Sequence, residues 1–464
     1  MKWHLMKRHS MKRRQFLEAG LMAGAGIVAE AASAAAGQQP VEQPQPAAPA
    51  SVGHRPEGQT IHVALIGAGV QGRALLNALM AIPGVRLRAV CDIWKYARRA
   101  AANLLEAYKQ PATEYADFRE MLAHEKGLHA AIVATPDFLH AQHTIACLEA
   151  GLHVYCEKAM ATSLEAARAM VHTARRTGRL LQIGYQRRSN PRYRHVWENL
   201  LQKAKLTGRL THVAGRWFHP VREDAGWPQR FAMRDEELAR HGYRSMHELR
   251  NWRFFKHLGG GPFFDFGAHQ ADVAGWFLGT PPSSVIAIGG VDYYLGHEWA
   301  DNVTALLEYR TPAGTVRAVF EVQTTTSGGG ECSFEHFMGV DGSIQISENP
   351  KWSRVYREAH IPDWDAWVRA GYLAAPPHAP TQPATSQEVH VRETGVVVPY
   401  ELPVALGKPH HQPHLENFFE AIRGKAPLNC PAEEAFRTEV VVHKVNQSLA
   451  QGQVLRFQPE EFQV

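Results

Sequence analysis

Cysteine is scarce in this sequence. Five occur in 464 residues, at Cys91, Cys147, Cys156, Cys332 and Cys430. The count is odd and the spacing scattered, with no Cys-x-x-Cys, so neither a disulfide framework nor a structural zinc site is expected. Small buried hydrophobes are the plainer reading of these thiols. Long apolar runs are also missing, and no stretch is a good bilayer span. Charge of one sign is not in excess either, with 50 Lys and Arg against 45 Asp and Glu. Most of the small positive balance sits in residues 1–36, where Lys2, Lys7, Arg8, Lys12, Arg13 and Arg14 face only Glu18 and Glu30. The remainder is nearly neutral and gives no support to a nucleic-acid surface. No internal repeat is visible. What is present is ordinary globular composition, with 45% hydrophobic and 9% aromatic residues in a length suited to two domains.

The first 36 residues read as a targeting segment. Met11-Lys12-Arg13-Arg14-Gln15-Phe16-Leu17 resembles the twin-arginine export motif. An Ala/Gly-rich apolar run follows from Leu21 to Ala29, then small residues offering an A-x-A cleavage site such as Ala32-Ser33-Ala34. No cysteine follows at lipobox spacing, so no lipid anchor is expected, and the mature chain should be exported, to the periplasm or beyond the cytoplasm. Residues 37–59 are rich in Pro, Gln and Ala and should be extended, without a core of their own.

The chain is organised around Ile61 to Gly72, IHVALIGAGVQG. The apolar run Val63 to Ile66 reads as a buried parallel strand. It enters Gly67-Ala68-Gly69-Val70-Gln71-Gly72, and a helical pattern follows with Leu75, Leu76, Leu79 and Met80. In such a G-x-G-x-x-G the first glycine makes the tight turn, the second lets a pyrophosphate approach, and the third packs helix on strand. Phosphates then lie at a helix N-terminus, where free N–H groups and the dipole favour anions. Alone the motif is weak. Here a second strand, Arg86 to Cys91, ends in Asp92, about twenty residues on, where a carboxylate binds the ribose hydroxyls of NAD. Asp92 would repel a 2′-phosphate, which favours NAD over NADP. Arg98 and Arg99 on the next helix keep NADP possible.

Strands and helices alternate from residue 60 to 184. Helices are expected at Trp94–Tyr108, Ala116–Ala123, Phe138–Ala150 and Ser163–Thr177, and strands at His129–Thr135, His153–Cys156 and Leu180–Gly184. That rhythm predicts a doubly wound parallel sheet, an α/β Rossmann domain. After Gly184 it changes. A helix at Pro191–Lys203, a strand at Leu210–Phe218 and a helix at Phe263–Leu278 are followed by strands at Ser284–Val291, Asn302–Tyr309, Val316–Thr325, Ser333–Val340 and Ser343–Ile346. Residues 185–464 therefore read as an α+β domain with a large, mainly antiparallel sheet. The stretch up to Lys256 shows no period. Residues 350–400, with a Pro-rich piece at Ala375–Ala384, read as an irregular surface insertion, and helices at Pro413–Arg423 and Ala432–Ala450 close the chain.

Chemistry collects at strand ends in such sheets. The strand ending at Thr135 continues into Pro136-Asp137-Phe138-Leu139-His140, and the one ending at Cys156 into Glu157-Lys158-Ala159. Further on stands Gly259-Gly260-Gly261-Pro262-Phe263-Phe264-Asp265-Phe266-Gly267-Ala268-His269. With the glycine-rich turn, this ordered set resembles the Gfo/Idh/MocA family of oxidoreductases, whose namesakes include glucose-fructose oxidoreductase and inositol dehydrogenase. The resemblance runs from Ile61 to the C-terminus apart from 350–400. It departs at Ala159, where the family usually has proline, often with a cis bond. It implies that Gly67, Gly69, Val70, Gln71, Gly72, Asp92, Thr135, Pro136, His140, Glu157 and Lys158 serve the cofactor, and that Lys158, Asp265 and His269 are catalytic. The exposed sheet of this family implies a homodimer or homotetramer.

Elementary chemistry agrees. Oxidising a carbinol needs a base for the hydroxyl proton, and histidine suits the task. Asp265 and His269 are i and i+4 on one helix, with Asp272 three further on, so a carboxylate can orient the imidazole. Lys158 can polarise the substrate oxygen. Tyr185, Gln186, Arg187 and Arg188 follow the last strand of the first domain and should face the cleft as sugar ligands, or else form an interdomain ion-pair cluster. Trp252 and Arg253 either line the sugar site or simply pack. His410, His411 and His414 read as a helix start rather than a metal cluster, and Asp265-x-x-x-His269-x-x-Asp272 as a hydride site rather than a metal site, so no metal is expected.

These readings predict an exported, NAD-dependent oxidoreductase for a sugar, polyol or glycoside, with a small-molecule carbohydrate partner, no nucleic acid and no membrane in the mature form. Two alternatives accompany it: a glycosidase- or lyase-like enzyme that oxidises C3 transiently, and a non-catalytic sugar- or nucleotide-binding scaffold. Export implies one more property. Outside the cytoplasm no free nicotinamide pool is maintained, so the cofactor should be held tightly and recycled in place. Residues 37–59 either help, as an arm over a neighbouring subunit's adenine, or form a plain spacer.

Overall fold

A computed structural model describes residues 60–329, 332–375 and 399–464. The targeting segment 1–36, the arm 37–59 and residues 376–384 of the Pro-rich piece lie outside the described residues.

The first sheet contains β1 (Ile61–Ile66), β2 (Val85–Cys91), β3 (Thr113–Tyr115), β4 (Ala130–Val133), β5 (His153–Cys156) and β6 (Leu181–Ile183), all parallel, in the order 3-2-1-4-5-6. Its strands are apolar because both faces are covered. Alternate residues of β1 divide between two cores. Ile61, Val63 and Leu65 join one, while Ala64 and Ile66 join the other. Helices α1 (Val70–Met80) and α2 (Lys95–Ala107) cover the first face. Helices α3 (Phe118–His124), α4 (Asp137–Glu149) and α5 (Leu164–Thr177) contribute to the second. The helix ends follow local chemistry. The Ser163 side chain accepts the Ala166 N–H at 3.2 Å, and Gly178 closes α5 in the left-handed region at φ 65°. The strand order reverses beside β1, which opens a crevice at the carboxyl ends of β1 and β4. The three-residue β3 escaped the sequence reading because Thr-Glu-Tyr has no apolar run.

The second sheet has eight strands: β7 (Leu210–Phe218), β8 (Pro282–Gly290), β9 (Asn302–Thr311), β10 (Gly314–Gln323), β11 (Cys332–Gly339), β12 (Gly342–Ile346), β13 (Arg354–Arg357) and β14 (Leu455–Arg456). Their order is 13-12-11-7-10-9-8-14, and only β7 and β10 pair in parallel. The expected mainly antiparallel sheet is therefore present. The other helices are α6 (Pro191–His195), continued in wider turns to Lys203, then α7 (Asp235–Arg240), α8 (Met246–Asn251), α9 (Ala268–Leu278), α10 (Asp365–Arg369), α11 (Gln412–Ile422) and α12 (Ala432–Gln451). Helix α12 lies against β8, where the Ala287 N–H donates to the Ser448 hydroxyl at 3.0 Å. The opposite face of the sheet is open, with Ile288 and Leu306 exposed.

Three differences from the sequence reading have physical causes. The aperiodic stretch before Lys256 contains α7 and α8, six residues each, too short to show a helical stripe. Residues 350–375 are not irregular throughout. They hold a turn at Pro350–Trp352, strand β13 and α10. Helix α11, late in the chain, returns to the first sheet, where Leu415, Phe418 and Phe419 complete the core around β1. Cys91, Cys147, Cys156 and Cys430 are buried free thiols, and burial pushes each up.

Candidate active site

At the end of β1 the backbone turns at Gly67, whose φ is 94°. A Cβ there would lie 2.5 Å from the Ala134 carbonyl oxygen, and one on Gly72 would lie 1.9 Å from the Gly67 oxygen. Both positions therefore require glycine. Gly69 caps α1, and a Cβ on it would meet nothing within 4 Å. The N-terminus of α1 thus leaves room for a pyrophosphate against its free N–H groups. Asp92 is fixed beside this turn. One of its carboxylate oxygens accepts the Ala68 N–H at 2.7 Å, the other the Trp94 N–H at 2.8 Å. Each oxygen keeps a second lone pair for a ribose diol. Arg98 donates to the Asp92 carbonyl at 2.6 Å, and both Arg98 and Arg99 pair with Glu114. The cations that kept NADP possible are thereby engaged.

The crevice opens into a cleft of about 850 Å³ that reaches from Gly67 and Asp92 to Lys158, Asp265 and His269. Lys158 is ion-paired with the Asp265 carboxylate and donates to the Asp265 carbonyl at 2.6 Å. Arg253 donates to the other Asp265 oxygen at 2.8 Å. Burial would raise this carboxyl, but Lys158 and Arg253 hold it well below the usual carboxylate range. His269 is pushed well below 6.5 by burial first, then by the Arg187 and Lys158 charges. The ring is therefore a neutral imidazole at neutral pH. It stacks on Trp217 with centroids 5.3 Å apart, and among the described residues its Nδ1 has no hydrogen-bond partner.

The remaining expected residues divide. Thr135, Pro136, His140, Gln186, Trp252 and Arg253 line the cleft. His140 ties the Thr135 carbonyl to the Ala159 carbonyl, each 2.7 Å from one ring nitrogen, and so joins the start of α4 to the loop carrying Lys158. The Lys158–Ala159 peptide is cis although no proline is present. Tyr185 does not reach the cleft. It is buried, with its hydroxyl on Glu439 at 3.1 Å. Arg187 is likewise withdrawn, paired with Glu335 and Glu348 and donating to Ser333 at 2.8 Å. Arg187 thus forms an ion-pair cluster within the second domain, not across the two. Asp265 does not orient His269 by a hydrogen bond; its oxygens accept from Lys158 and Arg253 instead. Asp272 is taken by Arg188 and Thr438.

One residue of the cleft was given no role from sequence. Asp137 opens α4, and burial, with Asp265 nearby and against Arg253 and Lys158, raises its carboxyl to about 7. His411 lies 3.0 Å from the Gln71 side-chain nitrogen, which also donates to Glu157 at 3.0 Å. His414 is a core residue between Ser189 at 2.6 Å and the Ile183 carbonyl at 2.8 Å. Among the described residues no group of three or more metal-ligating side chains occurs. A strap from residue 219 to 256 crosses the outer cleft. Its Phe231 carbonyl accepts the Trp94 indole N–H at 2.7 Å, Arg250 stands 5.2 Å over the Trp94 ring, and Tyr243 meets Phe138 edge to face at 5.7 Å. Asp224 anchors the strap, accepting from His247 at 2.7 Å and His297 at 2.9 Å.

A Rossmann sheet whose dinucleotide cradle shares one cleft with a lysine, an ionised aspartate and a neutral histidine defines a two-domain, dinucleotide-binding oxidoreductase class. Residues 61–185 match the model of an oxidoreductase family's NAD-binding Rossmann fold, and residues 236–457 match its C-terminal alpha/beta domain. The chain belongs to the Gfo/Idh/MocA oxidoreductase family. Among curated relatives it is similar to inositol 2-dehydrogenase 2 of Saccharopolyspora erythraea, 28% identical over 47% of this chain and 54% of that protein. It is also similar to a glycosyl hydrolase family 109 protein of Streptomyces coelicolor, 31% identical over 46% of each. The chain thus spans about half the length of the curated relatives it matches. In fold it resembles a levoglucosan dehydrogenase solved with NADH and L-sorbose, at a TM-score of 0.65 and 18% identity, covering 86% of this chain and 99% of that one. The WlbA dehydrogenase of Chromobacterium violaceum, solved with NADH and UDP-GlcNAcA, gives 0.63 and 21%, covering 87% and 97%.

Asp92→Ala is expected to relax the preference for NAD over NADP. A lost hydrogen bond to a charged group is worth roughly 1.5–3 kcal/mol, or about 10- to 100-fold in NAD affinity. Titration of NADH and NADPH fluorescence measures it. A wild type that binds both equally would remove Asp92 from the ribose.

Proposed function

We propose that this protein oxidises a CH–OH group of a sugar, polyol or glycoside, using NAD that stays bound between turnovers. The observation that carries the reading is the joint lining of one cleft by the Gly69 cradle, the Lys158–Asp265 pair and the neutral ring of His269. The N–H groups opening α1 would hold the pyrophosphate, and Asp92 the adenosine ribose. When bound, the dinucleotide supplies the hydride acceptor. Lys158, oriented by Asp265, points its charge at the substrate oxygen and favours alkoxide character. His269, uncharged and with a free nitrogen, takes the hydroxyl proton. Arg253 keeps Asp265 ionised and so keeps Lys158 placed. A panel of sugars, polyols and glycosides, followed at the nicotinamide absorbance band, tests the reading. Net absorbance change with product ketone supports it, and silence across the panel with cofactor bound counts against it.

Asp137 favours a second reading. A carboxyl raised to about 7 beside the reacting groups can give a proton to a leaving group. Transient oxidation at C3, elimination, and return of the hydride would then cleave a glycoside without net absorbance change, a reading that the family 109 relative also supports.

The twin-arginine-like segment supports export in the folded state, and export supports retention. The strap across the outer cleft would slow escape of the adenosine half. The protein purified without added cofactor should release nicotinamide nucleotide on denaturation, close to one per chain. A preparation that comes out empty and binds added NAD weakly would refute retention. The open face of the second sheet, with Ile288 and Leu306 exposed, supports assembly as a homodimer or homotetramer.

A further inference from the structure

A second cleft of about 510 Å³ adjoins the first, and Trp217, Glu348 and His410 line both. Its size falls within the roughly 300–1,000 Å³ of small-ligand sites. The carboxyl ends of β7 and β12 build it, with the Pro350–Trp352 turn. Its walls combine flat aromatic faces with hydrogen-bonding groups. Trp217 is the hinge between the two spaces. Its ring rests on His269 and on Phe266, centroids 5.1 Å apart, so whatever lies beyond Trp217 lies next to the reacting group. Trp352 is half-buried and, among the described residues, stacks on no other ring.

Arg192 supplies a second, independent observation. It lines this cleft at 3% exposure, and among the described residues its Nε has no hydrogen-bond partner and its guanidinium no carboxylate partner. A guanidinium without a carboxylate partner keeps donors that a ligand in the cleft can use. Charge chooses among acceptors. Glu348 at the junction of the clefts is already paired with Arg187 at 3.4 Å and Lys408 with Glu416 at 2.9 Å, so neither draws an ion of its own into the cleft. A neutral ring rich in hydroxyls fits both the aromatic faces and the unmatched donor.

We infer that the second cleft is a subsite for the non-reacting unit of a glycoside, so that the substrate is larger than one monosaccharide. The inference rests on the oxidoreductase reading only for what happens in the first cleft. The reacting ring lies by Lys158 and His269, and the second unit passes Trp217 to meet Trp352 and Arg192.

The test uses the full cofactor-loaded protein. The probes are cellobiose, lactose, maltose, sucrose and p-nitrophenyl β-glucoside, against glucose, galactose and fructose. At least one glycoside should exceed its monosaccharide about tenfold or more in kcat/KM, and should quench tryptophan fluorescence. Trp352→Ala, a substitution at a half-exposed turn, should lower that glycoside-to-monosaccharide ratio about tenfold, mainly through KM, and remove part of the quench. Arg192→Lys keeps the charge but loses the fork, and should also weaken the glycoside. A wild type that prefers monosaccharides, or a glycoside preference that Trp352→Ala leaves intact, overturns the inference while the oxidoreductase reading stands. Trp352-dependent quenching by glycosides without oxidation or cleavage keeps the subsite and overturns the activity. No response to any probe overturns the subsite.

Discussion

Lys158→Ala should lower kcat/KM by about 10²–10⁴ while the protein stays folded and still binds cofactor. The side chain is the cation aimed at the reacting oxygen, and removing a group that stabilises developing charge in a dry site costs of this order. A second effect runs the same way. Asp265 loses its closest counterion and keeps only Arg253, at 2.8 Å. Breaking a buried pair typically costs about 3–5 kcal/mol. Here the loss should be smaller, because Arg253 still compensates the carboxylate. Thermal unfolding should therefore report a modest destabilisation, and NADH fluorescence titration should report a Kd within a few-fold of wild type. Lys158→Arg separates charge from geometry. A planar fork in place of a compact ammonium should recover the stability and little of the rate. Wild-type turnover in Lys158→Ala would remove the residue from the chemistry.

What the sequence disclosed and what it hid follow one line. The β1–turn–α1 unit was legible because its causes are local: an apolar run, three glycines with distinct steric duties, and a helical stripe. The antiparallel sheet was legible because β8 to β12 follow one another with little helix between. The pairing inside the site was not. Asp265 and His269 share a helical face, and that suggested a carboxylate–imidazole contact. The carboxylate is instead claimed by Lys158, 107 positions earlier, and by Arg253, 12 positions earlier. The Lys158 partner exists only once the two domains dock, and Arg253 reaches Asp265 from a stretch with no helical period of its own. The turn after β6 misled in the same way. Gln186 faces the cleft, but a tight turn over Gln186–Ser189 sends Arg187 back to Glu335 on β11, and Tyr185 is drawn inward to Glu439. Helix α11 finishes the Rossmann core from more than 300 positions away, through contacts that no local pattern encodes.

His269→Asn is expected to cost about 10²–10⁴ in kcat, the usual loss when a general base is removed. The pH profile makes the assignment sharper than the rate alone. Burial, Arg187 and Lys158 depress the His269 pKa well below 6.5, so the ring accepts its proton only in acid. A base must be unprotonated to act. Activity carried by His269 should therefore stay level as pH falls through 7 and 6.5, and drop only well below. Asp137 makes the opposite prediction. Its carboxyl titrates near 7, so a reaction using it as base would already lose half its rate there and rise with pH through that point. The two residues thus place the acid limb of kcat/KM on different sides of 6.5. The His269→Asn variant should have lost the low limb along with the rate, and Asp137→Asn should leave that limb where it was. An acid limb near 7 that disappears in Asp137→Asn would transfer the base from His269 to Asp137. The imidazole against Trp217 would then be a packing residue, and Lys158 with Asp137 would be the pair that handles the proton.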